Sequence, residues 1–144
     1  MSQEMLMVES DVDAYAAVMA ALERVPMIRA ALSQIYVVVR NGAATVSGNV
    51  LSQIMRRAVV YTLAATPGIN KVVDQLIDDT QIDRAVAKAL SAEPLLTPHT
   101  GIIVSTYLGM VKLTGDKLNA AEQTKARDVT QRVSGVREVV LQLD

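Results

Sequence analysis

IYVVVRNGAATVSGNV, Ile35 to Val50, is two short runs of alternating apolar residues joined at Asn41-Gly42. Both turn residues tolerate positive φ, so the dipeptide predicts a type I′ turn and a β-hairpin. Ile35, Val37 and Val39 point to one face, with Tyr36, Val38 and Arg40 on the other. On the return run Ala44, Val46, Gly48 and Val50 share the inward face, and Gly48 there predicts a helix crossing close to the sheet. The layout recurs 67 residues later in Ile102 to Leu118, IIVSTYLGMVKLTGDKL, where Gly109 matches Gly42 and Gly115 matches Gly48. The sequel recurs at the same spacing, TPGINKVV (Thr66 to Val73) against VSGVREVV (Val133 to Val140), pairing Gly68 with Gly135. The chain is a duplication.

Working outward from the hairpin, Ser10 to Asp13 supplies capping oxygens and negative charge for a helix over 12–25 that stops before Pro26. Tyr15, Val18, Met19 and Leu22 form its apolar face at helical spacing. Ser52 caps a second helix ending at Thr66-Pro67-Gly68, and a third strand follows over 69–77. The second repeat opens on Thr80-Gln81-Ile82-Asp83, a capping-box-like spacing, and Val86 and Leu90 carry its core stripe. After the strand from Ile102, the turn at Leu108-Gly109 and the return strand, Asn119 and Glu122 make a capping box for the last helix. A strand over 136–143 closes the repeat. The expected class is α+β: two tandem αββαβ repeats, each a three-stranded mixed sheet with helices on one face, the crossover helix bringing the third strand in parallel to the second. The expected divisions are an arm over 1–10, a first repeat over 11–79 and a second over 80–144.

Composition narrows the rest. Of 144 residues 51% are hydrophobic, yet no apolar run approaches the roughly 20 residues of a membrane-spanning helix, so the reading is a soluble protein. Each repeat, at about 65 residues, buries only about 60% of its unfolded surface and calls for packing on something else. Net charge is −1, six basic against eight acidic residues up to Asp79 and eight against seven beyond, which argues against an electrostatic nucleic-acid binder. There is no cysteine, hence no disulfide, thiolate metal site or cysteine nucleophile. The start MSQEMLMVES has neither the basic end nor the apolar length of an export signal, and no acylation site, so the expected location is cytoplasmic, with the envelope or exterior reached only by another route.

The repeated G-x-V-x-L-x-G type hairpin and V-x-G-V-x-x-V ending, clearest in Gly109 to Gly115 and Val133 to Val140, resemble the BON domain. The first copy carries the pattern as Gly42 to Gly48 and Thr66 to Val73, with Thr66 replacing the first Val. The resemblance spans nearly everything from residue 12 on and makes Gly42, Gly48, Gly68, Gly109, Gly115 and Gly135 the signature glycines, structural rather than chemical. It implies a non-catalytic module of bacterial envelope and stress proteins, some of which bind anionic phospholipid surfaces, one type of which senses potassium, and others of which build oligomers.

The residues themselves point away from enzymology. No nucleophile–base pair, phosphate-cradling loop or metal-ligand spacing is present, so no catalytic residue, metal, cofactor or small-molecule substrate is expected. The one histidine, His99, sits in the turn-like Thr97-Pro98-His99-Thr100 and reads as a solvated bystander. No two glycines are three apart and there is no Phe or Trp, against a KH-like RNA module. Self-association is favoured. The helix after the first hairpin, with Ile54, Met55, Ala58, Val59, Val60, Tyr61, Leu63, Ala64 and Ala65 interrupted mainly by Arg56 and Arg57, is apolar nearly all round, and such a helix needs cover on more than one side, from the second repeat of the same chain or from other copies. Val60, Tyr61 and Ala64 with the apolar arm residues Met5, Leu6, Met7 and Val8 are the candidate contact. The alternative is an anionic membrane surface read by Arg84 and Lys88, with Lys117, Lys125 and Arg132 nearby, each contributing about 1 kcal/mol. A potassium site of backbone carbonyls would leave no sequence trace.

Overall fold

The computed structural model describes the backbone of residues 3–144 and side chains from Ser10 onward. The arm residues Met5, Leu6, Met7 and Val8 lie outside the described side chains. The chain divides into two compact units, 1–76 and 77–144. In the first, α1 (Gln3–Glu23) is followed by α2 (Pro26–Arg29), a 3-10 turn (Leu32–Gln34), β1 (Ile35–Arg40), β2 (Ala43–Val50), α3 (Gln53–Ala64) and β3 (Lys71–Asp78), whose last two residues belong to the second unit. The second holds α4 (Asp79–Ala92), β4 (Ile102–Tyr107), β5 (Met110–Gly115), α5 (Ala120–Gln131) and β6 (Glu138–Gln142). Sheet orders are β1-β2-β3 and β4-β5-β6, two three-stranded mixed sheets with the expected αββαβ layout in each repeat.

Both hairpins keep the register read from the glycines. Ile35 faces Gly48 and Arg40 faces Ala43, while Ile102 faces Gly115 and Tyr107 faces Met110. Strand β6 runs parallel to β5, from Met110 beside Glu138 to Thr114 beside Gln142, as a helical crossover requires. Burial alternates along β1, with Ile35 buried and Tyr36, Val38 and Arg40 exposed.

Local chemistry sets the helix starts. Ser52 Oγ accepts the Met55 N–H at 3.1 Å to begin α3, and Asn119 and Glu122 exchange hydrogen bonds of 2.8 and 3.0 Å to begin α5. Helix α4 starts earlier than its sequence suggests. Its capping box is Asp78 with Gln81, at 2.9 and 3.0 Å, because β3 runs on through Asp78 and the helix follows with no loop; Thr80 lies inside the helix. Helix α1 likewise begins at Gln3 and ends at Glu23, so Asp11 and Asp13 are mid-helix residues and not caps.

The first core is built from Val18 and Leu22 of α1, the stripe Met55, Val59 and Leu63 of α3, and Ala44, Val46 and Val50 of β2, all essentially inaccessible. The second gathers Ile82, Val86 and Leu90 of α4, Val111 and Leu113 of β5, and Leu96, Leu118, Ala126 and Leu143. Each large side chain among them contributes about 1.5–3 kcal/mol of hydrophobic stabilisation, and only one face of each sheet is used this way.

Candidate interaction surfaces

Both hairpin turns take left-handed backbone at both central residues, with φ of 52° and 78° at Asn41-Gly42 and 46° and 84° at Leu108-Gly109. A buttress recurs at each. Asp11 of α1 accepts the N–H groups of Asn41 at 2.9 Å and Gly42 at 3.2 Å, and Asp79 of α4 accepts those of Leu108 at 2.7 Å and Gly109 at 3.0 Å. From the other side Asn70 N–H donates to the Gly42 carbonyl and Arg137 N–H to the Gly109 carbonyl, both at 2.8 Å. One carboxylate thus satisfies both turn donors, and the lead into the third strand satisfies the turn acceptor. Asp79 is buried and Asp11 is partly exposed. Burial raises the Asp79 carboxyl above its ordinary value, the two N–H bonds pull it down, and the charges of Asp83 and Asp78 push the same way as burial. This buttress escapes a fixed-offset comparison of the repeats. The aspartates are 68 apart and the turns 67, the span from aspartate to turn being one residue shorter in the second repeat.

The signature glycines Gly42, Gly48, Gly68, Gly109, Gly115 and Gly135 all have positive φ. At Gly48 the close neighbour is not a helix, as expected, but backbone. A Cβ would stand 1.9 Å from the Gln34 carbonyl oxygen, and at Gly115 the same distance from the Gly101 carbonyl oxygen. Each glycine lets the chain entering the hairpin pass against the chain leaving it.

His99 is also no bystander. It is half-buried, with Nε2 2.5 Å from Glu122 Oε2 and Nδ1 3.9 Å from Asp116 Oδ2, while Asp116 also accepts the Gly101 N–H at 2.9 Å. Asn119 N–H, before the His99 contact, holds the Glu122 carboxyl below its ordinary value. The cluster ties the α4–β4 connector to the start of α5. Nothing in the local turn sequence marks it, because its acids arrive from 17 and 23 residues away.

Helix α3 shows where the apolar excess goes. Beyond the buried stripe, Ile54 is 69% and Tyr61 76% exposed, Ala64 is exposed and Val60 is half-buried. Tyr61 stands between two grooves. One, of about 560 Å³, is bounded by Gln53, Arg57, Val60, Ala64 and Asp74; the other, of about 530 Å³, has an alanine floor from α1 and α3. The matching positions of α5 are polar, Asp128 standing where Tyr61 does and Arg127 where Val60 does. Ile54 belongs to this face together with the three α3 residues named from sequence. Further apolar groups lie on the uncovered sheet faces, Tyr36 and Val38 in one unit and Ile103, Tyr107 and Met110 in the other. Arg84 and Lys88 are both exposed on α4. Among the described residues no helix is long and apolar enough to cross a membrane.

Each repeat is thus an αββαβ unit whose hairpin turn is held by an aspartate of its first helix. The BON domain model matches residues 10–77 and again 78–144, so the chain belongs to the BON family, with two tandem domains. Among solved structures the fold is similar to the C-terminal domain of CdsD, the structural protein of the type III secretion system of Chlamydia trachomatis. That match has 20% identity and a TM-score of 0.62 over all of this chain and 68% of that one. A second CdsD structure aligns at 15% identity and a TM-score of 0.45, over 90% of each chain. The periplasmic domain of the inner-membrane protein PrgH of the S. typhimurium type III system aligns at 16% and 0.37, over 96% of this chain and 78% of that one.

Proposed function

We propose that this protein is a non-catalytic structural module that associates with copies of itself through the exposed face of α3, extended by the apolar residues Met5 to Val8. The observation that carries the reading is Tyr61, a large aromatic side chain 76% exposed on a helix whose inner stripe is already buried. Aromatic residues in such positions are the usual anchors of protein interfaces, and the α5 counterpart, with Asp128 in that place, lacks the feature. The likeness in fold to CdsD, a structural protein, is consistent with a structural role.

Light scattering on the purified chain tests the reading. An assembly is expected at tens of micromolar, Tyr61→Asp is expected to dissolve it, and a strict monomer would sink the proposal. The exposed pair Arg84 and Lys88, one helical turn apart on α4, supports a second reading as a site for an anionic membrane surface. Co-sedimentation with phosphatidylglycerol vesicles, abolished by Arg84→Glu with Lys88→Glu, would favour that reading instead.

A further inference from the structure

Strand order leaves β1 and β3 at the edges of one sheet and β4 and β6 at the edges of the other. Two of these edges are tended by side chains. Arg56 donates to the carbonyl of Leu76 on β3, where Asp74 accepts the N–H, and Arg127 donates to the Val139 carbonyl of β6 at 3.1 Å. Edge β1 is bare. Its closing pair at the turn is Arg40 with Ala43, and hydrogen-bonded pairs alternate from there, so Tyr36 and Val38 also bond inward to β2. Val37 and Val39 therefore turn their N–H and C=O groups outward, and among the described residues nothing bonds to them. The strand lacks the usual guards of an edge: it has no proline, no bulge, and a single charge, Arg40, at its end. Its surroundings are apolar on both sides of the sheet. Tyr36 is 60% and Val38 51% exposed on the open face. On the helix face Val37 and Val39 are only half-buried, and Val12 and Tyr15 of α1, with the turn-bound Asp11, border a hollow against Val39. In the second unit the same places are polar. Thr80 and Asp83 replace Val12 and Tyr15, Thr106 replaces Val39, and the Thr106 hydroxyl donates to Asp83 at 2.6 Å.

We infer that β1 is a second self-association surface: the β1 edges of two copies pair antiparallel about a two-fold axis at Val38, joining their three-stranded sheets into one continuous sheet. The contact is separate from that of α3. An edge with free backbone donors and acceptors fits another extended strand, and β1 is complementary to itself in one register. With Val38 opposite Val38 of the second copy, Val37 and Val39 exchange hydrogen bonds with that copy's Val39 and Val37, so every outward group of both residues is used. Tyr36 then lies across from Arg40 of the second copy, a ring beside a guanidinium, and the two Arg40 charges stand at opposite ends of the joint. A parallel pairing would set those charges side by side. On the helix face Val12 and Tyr15 of the two copies close over the hollow. A strip one strand wide is the weaker contact of the two, so it extends an assembly that α3 holds and does not maintain one by itself at tens of micromolar.

The chain has no cysteine, so a single introduced one reports the contact. The full chain carrying Val38→Cys is incubated with oxidised glutathione, and disulfide-linked dimer is read on a non-reducing gel. Residues opposite each other in a non-hydrogen-bonded antiparallel pair have Cα atoms about 4.5 Å apart, within disulfide reach. Val38→Cys is expected to link roughly tenfold faster, or more, than Ser105→Cys, the exposed residue at the matching place of β4. Equal rates would mean random collision and overturn the edge contact. Tyr36→Cys and Arg40→Cys test the register independently: each alone is expected to stay unlinked, and the two mixed to link. A mixture that stays unlinked overturns the antiparallel pairing. If circular dichroism shows Val38→Cys misfolded, that mixture decides. The two contacts fail separately. A wild type that is monomeric by light scattering while Val38→Cys still links retains the edge and removes the α3 contact. A wild type that assembles while Val38→Cys links no faster than Ser105→Cys retains α3 and removes the edge.

Discussion

At Gly48 and Gly115 a methyl group has nowhere to go. The obstructing atom is a backbone carbonyl oxygen from the chain entering the hairpin, 1.9 Å from the position a Cβ would take, and φ is 109° at both. Backbone cannot swing aside as a side chain can, and the left-handed conformation adds its own cost of about 1–2 kcal/mol. Gly115→Ala should therefore destabilise the second unit by several kcal/mol, in the upper range of single substitutions, read as a lost or greatly lowered thermal transition. The buttressing aspartates make a subtler case. Asp79→Asn replaces one acceptor oxygen with an amide that faces an N–H donor, and the expected loss is about 1–3 kcal/mol at neutral pH. Asp11→Asn should cost less, its site being partly wet. The pH dependence carries a sign. Because the folded protein holds the Asp79 proton more tightly than the unfolded chain does, the unfolded state ionises first as pH rises. Stability contributed through Asp79 therefore falls as pH rises from 3.8 through the folded value. Glu122 works the other way: its contribution is full above 4.5 and is lost as pH falls through its lowered value. Chemical denaturation across pH 3 to 7 should show the first effect vanish in Asp79→Asn and the second in Glu122→Gln.

The two crossover helices differ in what they bury and what they expose. Both start from strong caps and both bury one stripe, but α3 buries Met55, Val59 and Leu63 whereas α5 buries Ala126 and Thr130. Thr130 occupies the place of Leu63, fully inaccessible, and its hydroxyl has no hydrogen-bond partner among the described residues. A buried hydroxyl left unsatisfied costs about 1–3 kcal/mol. Thr130→Val keeps the shape and removes the hydroxyl, so the second unit should gain about 1 kcal/mol, or roughly 4–8 °C in Tm for a domain of this size, measured by calorimetry. On α3 the imbalance is in the opposite direction. Its core stripe is complete, and Ile54 and Tyr61 are surplus to it, so Tyr61→Asp should leave Tm of the unassociated chain nearly unchanged while abolishing assembly. A residue that mattered only to folding would move the first quantity and not the second.

For the whole molecule, the proposed association through α3 joins exposed apolar groups, and its salt dependence follows. Exposed charges are screened beyond about 10 Å at 0.1 M ionic strength and beyond about 3 Å at 1 M. Assembly measured by light scattering should hold or strengthen as sodium chloride rises through that range, whereas association driven by charge pairs would weaken.

The duplicated hairpin, its turn residues, the caps at Ser52 and Asn119 and the inward alternation of β1 and β2 are all written in neighbouring residues. Backbone conformation and period are local properties, and for that reason the αββαβ repeat and its family were legible from Ile35 to Val50 and its copy. So was the surplus of apolar groups on α3, because composition around a helix needs no partner to be counted. What only the tertiary structure decided are contacts between residues far apart in sequence. Asp11 read as a helix-start acid, and Asp79 as no more than a boundary between repeats, until the fold set each against a hairpin tip about 30 residues further along the chain. His99 read as a loop residue until Glu122 and Asp116 closed on it. Gly48 looked like room for a helix until the Gln34 carbonyl filled the space. In each instance the residue is the same and its partner is supplied by another element, and a partner's identity is information that the local sequence does not hold.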